Sequence, residues 1–275
     1  MRKLIGLLIV GLLIFGSVYA FEFKKENVLV GLEYTYTENE IDSLKPIAID
    51  VLGIQAGLKS KIEDLKISQV LVSSGYKLSD YLIPYSLIGV SKLKFDERLI
   101  GNISSPFISG ETDLAALSYE GDNEFTFGFG AKGKLIELPA GLIVSYDVRR
   151  ISFEGSDSVD VRLLPSFIDL SAISDVDVEY AEWDLSLKLG KEFEIGKVIK
   201  SIAPYIGYKY SNIDMNVKSK THIFIADLDL EKDISTDGHS MLVGLEAKIN
   251  DNIVVAVGGS FFGEQGVTAS VTYSF

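Results

Sequence analysis

The sequence has no cysteine, which excludes disulfides, thiolate catalysis and zinc–thiolate sites together, along with any lipid attached to a cysteine after export. Positive charge is scarce. Twenty-six Lys and Arg stand against 39 Asp and Glu, a formal net charge of −13, and such a balance speaks against nucleic acid as a partner. Histidine occurs twice, at His222 and His239, which leaves little material for imidazole chemistry. After the first twenty residues no apolar run is long enough to cross a bilayer as a helix, which needs about 20 residues. No Pro-, Gly- and Ser-rich linker divides the chain.

The opening segment is of a different kind. Arg2 and Lys3 precede an unbroken apolar run from Leu4 to Phe15, and the small residues Val18 and Ala20 precede Phe21. This pattern predicts a signal peptide over residues 1–20, cut before Phe21, since the run is too short for a membrane-spanning anchor. The remainder, 21–275, carries 24 basic and 39 acidic residues and suits one domain.

Hydrophobic residues make up 47% of the chain and the mean hydropathy is +0.24, yet the apolar residues are dispersed. They recur as every second residue of short segments. At the C-terminus Val267, Ala269, Val271, Tyr273 and Phe275 alternate with Thr268, Ser270, Thr272 and Ser274. A strand has period two, so one face of this segment is apolar and the other hydroxylated. This ending resembles the final strand of bacterial outer-membrane β-barrels, in which a terminal Phe with an aromatic two residues earlier is read by the barrel-assembly machinery. The resemblance implies that Tyr273 and Phe275 are that assembly signal, and that the chain resides in the outer membrane, in contact with its lipid and lipopolysaccharide.

Similar alternation predicts strands at 28–36, 67–76, 81–87, 125–134, 142–149, 182–189, 202–211, 241–249, 253–261 and 267–275. The expected fold is all-β: an up-and-down antiparallel transmembrane barrel of ten strands. Turns near 78, 138, 195 and 251 are short, and the connections at 38–64, 96–122, 155–176 and 215–236 are long. Barrels of this class place long loops outside the cell and short turns in the periplasm, and an even strand count returns both termini to one side. Twelve strands are the alternative, with one more around Ile47, Ile49 and Val51, or Leu52, Ile54 and Leu58, and another in 221–231.

The second face of these strands carries Glu33, Lys132, Lys134, Asp147, Arg149, Glu182, Asp184, Lys188, Lys209, Glu246 and Lys248, which therefore are expected to line the lumen. Ten strands enclose an interior close to the width that side chains fill. The mixed charges form either a network that holds the barrel together or a narrow pore that sorts small solutes by charge. Tyr34, Tyr36, Tyr76, Tyr81, Tyr85, Tyr180, Tyr208, Tyr210, Tyr273 and Phe275 are expected in interfacial girdles. The function so implied is porin-like passage of small solutes or a structural membrane role, without enzymatic activity.

A second class of function comes from Asp237 and His239, two residues apart and so on one strand face, with Asp122 and Glu124 near another outer rim. The spacing resembles the Asp-x-His pair and acidic pair of omptins, ten-stranded outer-membrane proteases, and implies surface proteolysis as the alternative. Lipid-modifying barrel enzymes need a positioned Ser and His, but His239 and Ser240 are adjacent and point to opposite faces. Acidic loops lack the glycine-punctuated spacing of a dedicated calcium site, so no metal ligand is assigned and no cofactor expected.

Overall fold

A computed structural model describes residues 24–41, 47–51, 54–104, 109–163, 171–196, 198–223 and 226–275. The expected signal peptide lies outside the described residues. The strands are β1 (Val28–Ile41), β2 (Ile47–Val51), β3 (Ile54–Tyr76), β4 (Ile83–Ser104), β5 (Ser109–Glu120), β6 (Glu124–Leu138), β7 (Leu142–Leu163), β8 (Ser171–Lys191), β9 (Phe193–Glu194), β10 (Ser201–Ile223), β11 (Ala226–Lys248), β12 (Ile253–Phe261) and β13 (Gln265–Ser274). Ten of them close an antiparallel ring, β1-β3-β4-β6-β7-β8-β10-β11-β12-β13 and back to β1. At the seam Tyr273 pairs with Val30, and the Phe275 amide donates to the Val28 carbonyl at 3.1 Å.

The remaining three strands extend the wall without joining the ring. β2 folds back on the tip of β3, β5 bridges β4 and β7 above β6, and β9 pairs with the start of β10. The ten-strand expectation holds, because the segment at Ile47 is a hairpin arm, and 221–223 and 226–231 belong to the tips of β10 and β11.

The outward face of the ring is apolar over its lower part. Leu32, Val72, Ile88, Phe127, Trp183, Leu185, Leu187, Ile206, Val243, Val257 and Val271 are all exposed there, a contiguous band that in water would be an aggregation surface. A band of this kind about 25 Å tall is what hydrocarbon requires of a barrel. Crossing it takes about 9–11 residues per strand. β8 has 21 residues and β10 and β11 have 23 each, so roughly half of each stands clear of the belt.

In that upper half the two faces exchange character. On β8 the outward residues change from Trp183, Leu185 and Leu187 to Asp175, Asp177 and Glu179, while the inward ones change from Glu182 and Asp184 to Val176, Val178 and Tyr180. β10 does the same: Lys209 and Ser211 face inward below, Ile213, Met215 and Val217 above. The upper interior is thereby a dry core that also holds Ile62, Leu65, Ile67, Leu93, Phe95, Tyr119, Phe153 and Ile234. Phe95 stacks on Tyr119 with ring centroids 5.0 Å apart, and Phe153 on Tyr180 at 4.7 Å. The four long connections expected as loops are thus largely paired strand, since above the membrane the solvent is water on the outside and the core is within.

On one side the wall is low. β12 and β13 have 9 and 10 residues and turn at Phe262–Glu264, whereas β11 continues upward from there. Gly263 sits at φ +121°, and a Cβ there would lie 2.2 Å from the His239 carbonyl oxygen, so only glycine fits this turn against β11.

Candidate functional site

The charged residues expected in the lumen converge beneath the apolar core. Lys209 on β10 is the hub: its Nζ lies 3.1 Å from Asp184 and 3.4 Å from Glu182 on the adjacent β8, and 2.9 Å from Glu264. Glu264 reaches in from the β12–β13 turn, is 2% exposed, and also accepts a hydrogen bond from Ser211 at 3.3 Å. Arg149 on β7 forms the second hub, with Nε donating to Asp184 at 2.8 Å and a terminal nitrogen to Glu33 on β1 at 2.6 Å. Asp184 is therefore shared between two cations, and the chain of pairs crosses the interior from Glu33 on β1 to β7, β8 and β10 and returns to the β12–β13 turn.

Tyr180 joins this network to the core above. Its ring packs in the apolar cluster, and its hydroxyl donates to Glu182 at 2.9 Å. Below, Tyr85 on β4 donates to Asp147 on β7, and Lys132 on β6 lies over the Tyr85 ring at 5.5 Å. Lys188 on β8 lies over the Tyr205 ring at 4.6 Å and 3.8 Å from Glu246 on β11. These two tyrosines lie flat because glycine faces them. A Cβ on Gly244 would sit 2.3 Å from the Tyr205 ring, and one on Gly130 would sit 2.5 Å from Tyr85.

Two small cavities adjoin these groups. A cavity of about 110 Å³ is bordered by Glu33, Asp147, Arg149, Lys188, Tyr205, Lys209 and Glu264, and another of about 30 Å³ lies by Tyr85 and Lys132. Such volumes hold a few waters at polar partners.

The expected lumen set is therefore largely brought inside, in three groups: Glu33, Arg149, Glu182, Asp184 and Lys209 in one ion-pair network, Lys132 and Asp147 about Tyr85, and Lys188 with Glu246. Lys134 and Lys248 lie at the short-turn end, half-buried and outside the network. Glu264 escaped the sequence reading because it lies in a turn, with no alternation to mark its side. Tyr85 and Tyr180 correct the girdle expectation, since both face inward, and Tyr76 is buried at the lower end against the Lys24 amide. Tyr273 and Phe275 do lie exposed on the outer wall, edge to face at 4.9 Å.

Asp237 and His239 share one face, as expected, and that face is the outside of the barrel. His239 is sandwiched between Tyr208 and Tyr210, with ring centroids 5.9 and 5.3 Å away, and its Nδ1 meets the Tyr208 hydroxyl. Asp237 accepts from Tyr210 at 2.7 Å and from Asn212 at 2.8 Å. The pair points away from the lumen, so no cleft between the walls holds it. His222 lies at the tip of β10. In the upper extension, burial and then Asp157 push the Tyr119 phenol up to about 12, and hydrogen bonds from Lys92 and Lys94 hold the Glu120 carboxyl below its ordinary range.

No protein-family model and no curated protein matches this chain. Solved structures do. The outer membrane protease OmpT of Escherichia coli aligns over 94% of this chain and 100% of its own at 12% identity, with a TM-score of 0.50. The translocator domain of the autotransporter NalP of Neisseria meningitidis aligns over 100% and 96% at 8% identity and 0.44. The toluene transporter TodX of Pseudomonas putida aligns over 90% and 88% at 10% identity and 0.33. The chain has the outer-membrane β-barrel fold. At 12% identity the likeness to the protease shows the fold alone, and activity does not follow from fold.

Proposed function

We propose that this protein is a non-enzymatic, structural outer-membrane barrel that is closed to solutes and holds a rigid β-extension above the outer leaflet. The observation that carries this reading is the two-layer filling of the lumen. At mid-height Lys209 and Arg149 tie β1, β7, β8, β10 and the β12–β13 turn together. Directly above, the interior is apolar, with Leu65, Phe95 and Val176 at 0% exposure. A hydrated ion would have to break the ion pairs and then cross a dry core, both steps costly in desolvation.

Of the two roles that the lumen charges suggest, the geometry favours the network over the pore. The proteolytic alternative has less support, because Asp237 and His239 are engaged by neighbouring side chains on the outer wall. The surface displayed above the membrane is acidic, with Asp175, Asp177, Glu179, Asp214 and Asp233 exposed. The barrel-assembly machinery is the partner expected to insert it, reading Tyr273 and Phe275.

The test is single-channel conductance of the refolded chain, residues 21–275, in a planar bilayer at high salt. A silent, heat-modifiable barrel is expected. Stable unitary steps that change in Lys188→Gln would overturn the closed-lumen reading in favour of a pore.

A further inference from the structure

Successive residues of β7 alternate sides, and the adjacent arginines Arg149 and Arg150 have opposite fates. Arg149 turns inward to two carboxylates. Arg150 turns outward at the level where the wall stops being apolar: Tyr146 and Val148 precede it on that face, Ser152 and Glu154 follow. Its register partners are Phe129 on β6 and Trp183 on β8, so the three lie side by side on adjacent strands. The guanidinium carbon is 5.3 Å from the Trp183 ring centroid, and Phe129 meets Trp183 edge-on at 6.0 Å.

Among the described residues Arg150 has no carboxylate partner. The cations Lys66, Lys92, Lys94 and Lys218, outward on the wall above, are each held by a carboxylate: Glu38, Glu120, Glu120, and Glu179 with Glu231. An acidic chain thus leaves a guanidinium without a counter-ion at the border of hydrocarbon, where a bare charge is unfavourable. Stacking on indole satisfies its face and leaves the N–H edge free, and that fork matches a phosphate in a bidentate manner. Ser152 and Ala181, opposite each other just above, are small and leave room for a headgroup to descend.

We propose that Arg150, supported by Trp183 and Phe129, binds the phosphate of an outer-leaflet lipid headgroup and so fixes a lipid against the β6–β8 wall. The proposal concerns the outer wall and is independent of whether the lumen is closed.

Trp183 is the sole tryptophan of the chain, so its emission reports on this site directly. The full barrel in neutral detergent would be titrated with bis-phosphorylated lipid A, with the same lipid after removal of its phosphates, and with inorganic phosphate, and bound lipid would be counted by native mass spectrometry. A saturable emission change with phosphorylated lipid alone is expected, weakened about tenfold or more in Arg150→Gln and partly retained in Arg150→Lys. Heat-modifiable mobility of each variant shows that it is folded, and Arg150 faces outward, so folding is expected to survive. Equal responses from wild type and Arg150→Gln, or from the dephosphorylated lipid, would overturn the site. An equal response to inorganic phosphate would overturn the assignment to lipid.

Discussion

Lys209 shows how little of a residue's role its type reveals. Each of its three carboxylate partners is at least 93% buried, so the ammonium is their compensation where bulk solvent is largely excluded. Removing one partner of such a set leaves charge unpaired, at a cost of about 3–5 kcal/mol. Lys209→Met is therefore expected to lower the unfolding free energy measured in urea by an amount of that order, while Lys92→Met, at an exposed pair, leaves it nearly unchanged. The alternation of β10 made Lys209 legible as a lumen charge, and the same parity marked Glu182 and Asp184. Its third partner, Glu264, was not legible, because turn residues have no period. Glycine carries a comparable lesson. Gly244→Ala places a methyl 2.3 Å from the Tyr205 ring and is expected to cost about 1–3 kcal/mol. Combined with Tyr205→Leu the penalty should shrink, and a double-mutant cycle in urea measures that coupling.

At the scale of the strand, what matters is the change of polarity along one face. In β8 the side of Val176 and Val178 is the side of Asp184 and Lys188, and a reading that follows apolar residues alone ends the strand where the faces exchange. That is why the extension was expected as loop. The physical cause is the change of solvent: hydrocarbon outside the lower part, water outside the upper part, so the apolar face must be outward below and inward above. The extension is then held by an ordinary dry core and should respond as one. Phe153→Ala removes a ring stacked on Tyr180 and is expected to destabilise the extension by about 3–5 kcal/mol. The readout is faster proteolysis of the β7–β8 tip in intact cells, with the membrane-embedded part still heat-modifiable. Loss of that heat-modifiability at the same time would mean that the two layers do not unfold separately.

For the whole molecule the absence of cysteine makes the topology directly measurable. A single thiol introduced by Asp177→Cys should react with an impermeant maleimide on intact cells, whereas one introduced by Asn250→Cys, in the β11–β12 turn, should react only after the outer membrane is permeabilised. Labelling in the reverse order would invert the barrel. The barrel class, the antiparallel order, the lipid-facing belt and most of the lumen charges were determined by the sequence itself, because period-two alternation against lipid is a local property of each segment; the choice of ten strands over twelve was not. Only the tertiary structure decided that the upper segments are strand, that Glu264 completes the Lys209 cluster, that Tyr85 and Tyr180 turn inward, and that Asp237 and His239 lie outside the wall. Each of these depends on register between strands far apart in the chain and on closure of the ring, and no local pattern of residues encodes how a barrel fills its own interior.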